Sequence, residues 1–237
     1  KNGDDRLPMT DDCGLVLDYL LISFFSALIG GRIGYVIFYD FQYFLISPLA
    51  IISPYDSSGE FVGIFGMSYH GALLGVLLGS WIFLKRKKIN FLTWADFVVP
   101  AVALGYFFGR LGNFFNGELY GRITNSSWGM YFRSDRNNLR HPSQLYEAFL
   151  EGLFLFVILW IFQSASWSKK MPKGFLFSIY LIGYGALRIF AEQFRQPDPQ
   201  IGILLDHFTL GQLLSLVMIF GGVVILFGGF EKRKKML

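Results

Sequence analysis

Long apolar stretches separated by short polar clusters dominate the chain, and their spacing predicts six membrane-crossing helices over residues 15–39, 63–84, 94–115, 145–162, 174–193 and 210–230. Each comes close to or exceeds the roughly 20 residues that carry a helix across about 30 Å of hydrocarbon. The clusters between them alternate in kind. Lys85-Arg86-Lys87-Lys88, Lys169-Lys170-Met171-Pro172-Lys173 and Lys232-Arg233-Lys234-Lys235 fall on one side with Lys1 and Arg6, and every lysine is on that side. The opposite loops hold only arginines, namely Arg122, Arg133, Arg136, Arg140 and Arg195. The positive-inside rule makes the lysine side cytoplasmic, so both termini of this chain face the cytoplasm.

The expected fold class is therefore all-α: a polytopic helical membrane bundle of about six spans. The organisation expected is a cytoplasmic N-terminal segment, 1–14, and a membrane-embedded domain, 15–237, whose polar and aromatic stretch 119–140 forms a small extracytoplasmic cap. Composition agrees, with 53% hydrophobic, 19% aromatic and 16% charged residues and a mean hydropathy of +0.45. An ordinary soluble domain carries roughly 25% charged residues. The net charge of +4 reflects membrane topology, so no nucleic-acid partner is expected. The single cysteine, Cys13, excludes an internal disulfide and a thiolate zinc cluster. The polar start at Lys1 lacks an initiator Met and an apolar core, so it is no signal peptide, and a further segment upstream is expected.

Small residues mark where the helices approach. Gly71, Gly75 and Gly79 recur every four residues, as do Gly105 and Gly109, and close helix packing is the expected reason. Pro100 predicts a kink. Thr93 and Asp96 have capping-box spacing, which gives Asp96 a structural role.

Ionisable groups inside hydrocarbon cost about 2.5 kcal/mol or more each and tend to face cavities. Here they come from four helices and, given the topology, all lie in the outer half of the bilayer. Arg32 lies in Gly30-Gly31-Arg32-Ile33-Gly34-Tyr35, and His70 follows Met67-Ser68-Tyr69. Arg110 and Asn113 share a helix face in the run 109–122, Gly-Arg-Leu-Gly-Asn-Phe-Phe-Asn-Gly-Glu-Leu-Tyr-Gly-Arg. Tyr184, Arg188 and Glu192 are spaced four apart. This convergence predicts one cavity, and arginines in excess of carboxylates predict an anion site, since a guanidinium matches phosphate bidentately. Two alternatives stay open: Glu192 neutralises Arg188 as an i, i+4 pair, and Arg32 snorkels to the interface. His141 and His207 read as structural. His70, at a helix N-terminus among cations, is either a neutral base or a hydrogen-bonding group.

At these residues the chain resembles the bacterial prolipoprotein diacylglyceryl transferases, from about residue 18 to 226. The run 109–122 is similar to the family signature. The blocks Gly30 to Tyr35, Tyr69-His70-Gly71-Ala72-Leu73-Leu74-Gly75, His141-Pro142-Ser143-Gln144-Leu145-Tyr146-Glu147 and Gly183-Tyr184-Gly185-Ala186-Leu187-Arg188 through Asp198 match in order. The resemblance implies transfer of the diacylglyceryl group of phosphatidylglycerol to the lipobox cysteine thiol of a prolipoprotein signal peptide, with a thioether and glycerol 1-phosphate as products. It implies no metal or cofactor, a multi-pass place in the bacterial cytoplasmic membrane, and an active site toward the outer leaflet. It places catalytic roles on His70, Arg110 and Arg188 and substrate binding on Arg32, Asn113, Glu118, Gly121, Tyr184 and Glu192. It also implies one more span before Lys1. The reading it competes with is a transporter or channel for an anionic solute. That reading predicts polar residues in the cytoplasmic halves of the spans, which are nearly all Leu, Ile, Val, Phe and Gly.

Overall fold

A computed structural model describes residues 13–53, 55, 60–61, 66–167, 170–196, 203–204 and 208–234. Residues 1–12, the expected start of the second span at 63–65, Lys169, Pro197, Asp198 and His207 lie outside them. The chain is mostly helical and divides into two compact units, residues 1–91 and 92–237.

In the first unit α1 (Cys13–Phe38) packs along α3 (Tyr69–Arg86), and between them come α2 (Phe41–Ile46) and a 3₁₀ turn, Pro48–Ile51. Glycines make the α1–α3 contact possible. A Cβ on Gly30 would overlap the carbonyl oxygen of Gly71 and reach 2.7 Å from the Cα of Gly75, and one on Gly34 would stand 2.8 Å from the Cα of Gly71. The four-residue spacing of Gly71, Gly75 and Gly79 thus forms the expected contact stripe, with Gly79 against Ser26. Lipid supplies no hydrophobic drive between helices, so this dispersion contact at backbone distance holds the pair. Ser68 begins α3 by accepting from the Gly71 amide at 3.3 Å, while Lys85 and Arg86 complement the helix dipole at its other end.

In the second unit α4 runs through Phe91–Asn116, and its C-terminus follows from Asn116-Gly117-Glu118. Gly117 adopts φ +68°, its amide donates to the Phe114 carbonyl at 3.0 Å, and the Glu118 amide donates to Asn113 at 3.1 Å. These two bonds are a Schellman cap, which needs a left-handed residue that glycine supplies without strain. A continuous helix, Ser143–Ser164, follows the cap. It comprises α5 (Ser143–Glu147), a π-helical segment (Ala148–Phe154) and α6 (Leu155–Ser164). Then come α7 (Phe175–Ala191) and α8 (Leu210–Lys234), packed along each other. Val99, Ala103, Leu155, Leu159 and Leu176 form the buried apolar core.

Among the described residues four helices are long and apolar enough to cross a membrane: Cys13–Phe38, Phe91–Asn116, Ser143–Ser164 and Leu210–Glu231. Phe175–Ala191 is apolar but shorter, and Tyr69–Arg86 has 18 residues and ends in Lys85 and Arg86. Exposed Leu, Ile, Phe and Val side chains cover the helices, as a lipid-facing surface requires.

Two details differ from the sequence reading. Asp96 is structural, but it caps a different helix: its Oδ2 accepts from the Gly174 amide at 2.7 Å and its Oδ1 from Phe177 at 2.8 Å, at the start of α7. Orphan amides at a buried helix start need such an acceptor, wherever it lies in the sequence. The stretch 119–140 shows no clear periodicity in sequence, yet within it β1 (Met130–Phe132) pairs antiparallel with β2 (Asp135–Arg140). Arg140 braces that hairpin through Nε and Nη2 to Asp135 Oδ2 at 2.8 and 2.6 Å, and this bond holds the partly buried Asp135 carboxyl below the usual carboxylate range. Its contribution is complete above the unfolded carboxyl's pKa of about 3.9 and disappears as pH falls through the lower, folded value.

Replacing Gly71 by Val should destabilise the α1–α3 pair by about 1–3 kcal/mol, or separate the helices, because backbone rather than a movable side chain blocks the new methyls. Thermal unfolding in detergent measures this, and a wild-type midpoint would contradict the close packing. Asp96→Ala should cost about 0.5–2 kcal/mol in the same assay by uncapping α7.

Candidate active site

Within the second unit, three helices deliver ionisable side chains to one buried network. From α4, Arg110 and Tyr106 lie one turn apart. From α5 and the π segment come Glu147 and Glu151, both fully buried. From α7 comes Arg188, with Glu192 just beyond its end. Glu147 Oε2 forms an ion pair with Arg110 Nη2 at 2.8 Å and accepts from Arg188 Nη1 at 2.6 Å. Arg188 Nη2 meets Glu192 Oε2 at 3.1 Å, and its Nη1 stands 3.8 Å from Glu151 Oε1. Tyr106 donates to Glu151 Oε2 at 2.8 Å, with Glu147 Oε2 at 3.2 Å, and accepts from Arg110 Nε at 2.9 Å.

The network continues to the surface. Arg110 Nη1 reaches Asn113 Oδ1 at 3.4 Å, Asn113 donates to Glu118 Oε1 at 2.9 Å, and Asn116 donates to the same oxygen at 3.4 Å. Gln144 Nε2 holds the Glu118 backbone carbonyl at 2.6 Å. The Schellman cap at Gly117 therefore turns the chain so that Glu118 meets the two asparagines of its own helix. Tyr184 packs edge to face on Tyr106, with ring centroids 5.5 Å apart.

Local backbone explains why these helices meet. A Cβ on Gly152 would lie 2.7 Å from the Cα of Phe107, so the π segment approaches α4 at backbone distance, one residue from Tyr106 and one from Glu151. Single-turn π segments are uncommon and cluster at functional sites. Gly211 serves similarly beside Glu192, whose carboxylate lies 3.1 Å from where a Cβ would be.

Of the residues singled out in the sequence, Arg110, Asn113, Glu118, Tyr184, Arg188 and Glu192 join this one constellation. Gly121 has a packing reason: its amide donates to the His141 carbonyl at 2.8 Å, and a Cβ would overlap the Phe194 carbonyl. Arg32 and His70 belong to the first unit. There Arg32 binds the end of the 3₁₀ turn, through Nε to Ile51 at 2.7 Å and Nη2 to Ala50 at 2.6 Å, with Nη1 to Gly66 at 3.2 Å and the Phe44 ring 5.1 Å away. His70 is exposed in the first turn of α3, edge to face with Tyr69.

The premise of surplus positive charge needs correction. Arg110 does have a carboxylate partner, supplied by another helix, and Glu147, Glu151 and Glu192 outnumber the two guanidiniums. Sequence reasoning missed Glu151 and gave Glu147 no role. The signal was available, because two carboxylates four residues apart inside an apolar span are themselves costly and demand partners. Among the described residues no His, Cys, Asp and Glu cluster suits a metal ion. Among the described residues Gln144 Oε1, Glu147 Oε1, Glu151 Oε1 and Glu192 Oε2 are buried acceptors in this network without a hydrogen-bond donor. They can take a proton or a hydroxyl donor. The arrangement as a whole can hold an anion beside acceptors in a water-poor setting.

Removing Glu147 leaves two guanidiniums within reach of one vacated position. Glu147→Leu should destabilise the fold by about 3–5 kcal/mol, as loss of one partner of a buried ion pair does. Glu118→Gln, exposed and still an acceptor, should cost under about 1 kcal/mol. Unfolding midpoints in detergent compare the two, and equal losses would contradict the buried network.

A family model for prolipoprotein diacylglyceryl transferase matches residues 4–228. Proteins named phosphatidylglycerol–prolipoprotein diacylglyceryl transferase are similar to the chain. The one from Chlorobaculum tepidum is 50% identical over 214 residues, covering 88% of this chain and 72% of the relative. That from Desulfotalea psychrophila is 44% identical over 210 residues, covering 88% and 74%. That from Pseudoalteromonas translucida is 43% identical over 216 residues, covering 91% and 76%.

Proposed function

Because the chain belongs to the prolipoprotein diacylglyceryl transferase family, we propose that it moves the diacylglyceryl group of phosphatidylglycerol onto the lipobox cysteine thiol of a prolipoprotein. The cysteine sulfur attacks the glyceryl carbon, the carbon–oxygen bond to phosphate breaks, and glycerol 1-phosphate leaves with the bonding pair while the thiol loses its proton. A multi-pass place in the bacterial cytoplasmic membrane, with the site toward the outer leaflet, fits the lysine and arginine distribution of the loops.

The observation that carries the reading is the buried pairing of Arg110 and Arg188 through one carboxylate oxygen, Glu147 Oε2, at 2.8 and 2.6 Å. Negative charge grows on the phosphate oxygens as the bond breaks, and guanidiniums fixed in advance stabilise it without reorganising. We assign Arg110 and Arg188 to the field around that phosphate, and Asn113 and Glu118 to the glycerol hydroxyls. His70 is assigned, on the chemistry of imidazole, to the thiol proton or to headgroup orientation. A thiol with pKa near about 8.5 needs such a base or a cationic field to become the thiolate nucleophile.

Vesicles of labelled phosphatidylglycerol with a lipobox peptide should yield lipidated peptide and glycerol 1-phosphate. Solute flux without lipidation would instead select the transporter reading. Arg110→Lys, which keeps charge but loses the fork, should lower kcat/KM by about 100-fold or more, and retention of near-wild-type transfer would refute bidentate binding. His70→Gln should reduce kcat by about 100-fold or more if the imidazole accepts the proton, while wild-type activity would leave it only a hydrogen-bonding role.

A further inference from the structure

Arg110 and Arg188 are held in different ways. Each guanidinium has a side fork, Nε with Nη2, and an end fork, Nη1 with Nη2. The protein grips Arg110 by the side fork: Nε donates to Tyr106 at 2.9 Å, and Nη2 forms an ion pair with Glu147 at 2.8 Å. On its end fork, Nη1 has among the described residues only the long 3.4 Å contact to Asn113. Arg188 meets carboxylates at both ends of its end fork, through a hydrogen bond from Nη1 to Glu147 at 2.6 Å and an ion pair of Nη2 with Glu192 at 3.1 Å.

The geometry points to a division of labour, with Tyr106 and Glu151 as positioning residues that hold the side fork of Arg110 so that its end fork receives the substrate phosphate. This rests on the transferase reading above. Arg188, its end fork already filled by carboxylates, acts through Glu147. The hydrogen bonds have a fixed sense: Arg110 Nε donates to the Tyr106 oxygen, and the single hydroxyl proton of Tyr106 goes to Glu151 Oε2 at 2.8 Å. Glu151 is fully buried in the π segment, which Gly152 brings against α4, so this acceptor is fixed by backbone packing. The Tyr106 ring lies 5.0 Å from the guanidinium carbon and is itself buttressed by Tyr184 at 5.5 Å. Neither Tyr106 nor Glu151 touches the phosphate. Their effect is to set where the charge points.

A fork misaimed by about 1 Å loses on the order of 100-fold in rate. Tyr106→Phe keeps the ring and removes only the hydroxyl. In phosphatidylglycerol vesicles with a lipobox peptide it should lower kcat about 10- to 100-fold, with KM for the lipid within about twofold. Glu151→Gln retains an oxygen for the Tyr106 hydroxyl and should lose several-fold less than Glu151→Leu. A sulfur-for-oxygen replacement at a non-bridging position of the lipid phosphate supplies a readout that folding alone does not move. It should slow the wild-type protein, and it should slow Tyr106→Phe distinctly less. Wild-type kcat in Tyr106→Phe, an unchanged sulfur effect in it, or equal activity of Glu151→Gln and Glu151→Leu overturns the assignment. A wild-type protein that lipidates no peptide overturns the transferase reading instead, so the two failures are separable.

Discussion

One carboxylate oxygen, Glu147 Oε2, pairs with two guanidiniums that belong to different helices, at 2.8 Å from Arg110 and 2.6 Å from Arg188. Without it, two like charges would face each other where water is scarce, and Arg110 would be left with the neutral partners Tyr106 and Asn113. With it, the helix Ser143–Ser164 becomes the common partner of α4 and α7, and the polar groups of the signature run are assembled outward from it through Arg110, Asn113 and Glu118. The site and the fold of the second unit are therefore one problem in electrostatics. Charges that would be expensive singly are arranged to satisfy one another, and what remains unmatched among the described residues of this network is a set of acceptor oxygens, on Gln144, Glu147, Glu151 and Glu192.

The first unit solves its packing by a different route. Its helices meet at glycine, with Gly30, Gly34, Gly71 and Gly75 placing backbone against backbone, and Arg32 donates to the peptide carbonyls of Ile51 and Ala50. The carbonyls at the end of a 3₁₀ turn are orphaned acceptors, and a guanidinium with five donors can satisfy several at once.

Much of this was legible in residue order. Helix positions followed from apolar run length, and the observed helices over 13–38, 91–116 and 210–234 start and stop within a few residues of the expected spans. The Gly71, Gly75 and Gly79 spacing gave the contact face of α3, and Arg110 with Asn113, and Arg188 with Glu192, gave pairs on single helices. Partners on other helices were not legible. Nothing in local spacing tells that Asp96 caps α7, that Arg110 meets Glu147, or that Tyr106 reaches Glu151. The 3₁₀ turn that engages Arg32 and the π segment between α5 and α6 also escaped notice. Both depend on hydrogen-bond registers that apolar periodicity does not specify.

The central claim is that Arg110 and Glu147 act as a single unit, and a double-mutant cycle between them tests it most directly. Arg110→Met, Glu147→Gln and the double variant would be compared with the parent protein by kcat/KM for lipidation of a lipobox peptide. Strong non-additivity is predicted, the second substitution adding little once the first is made, with a coupling of about 1–3 kcal/mol. Losses that simply sum would contradict the account.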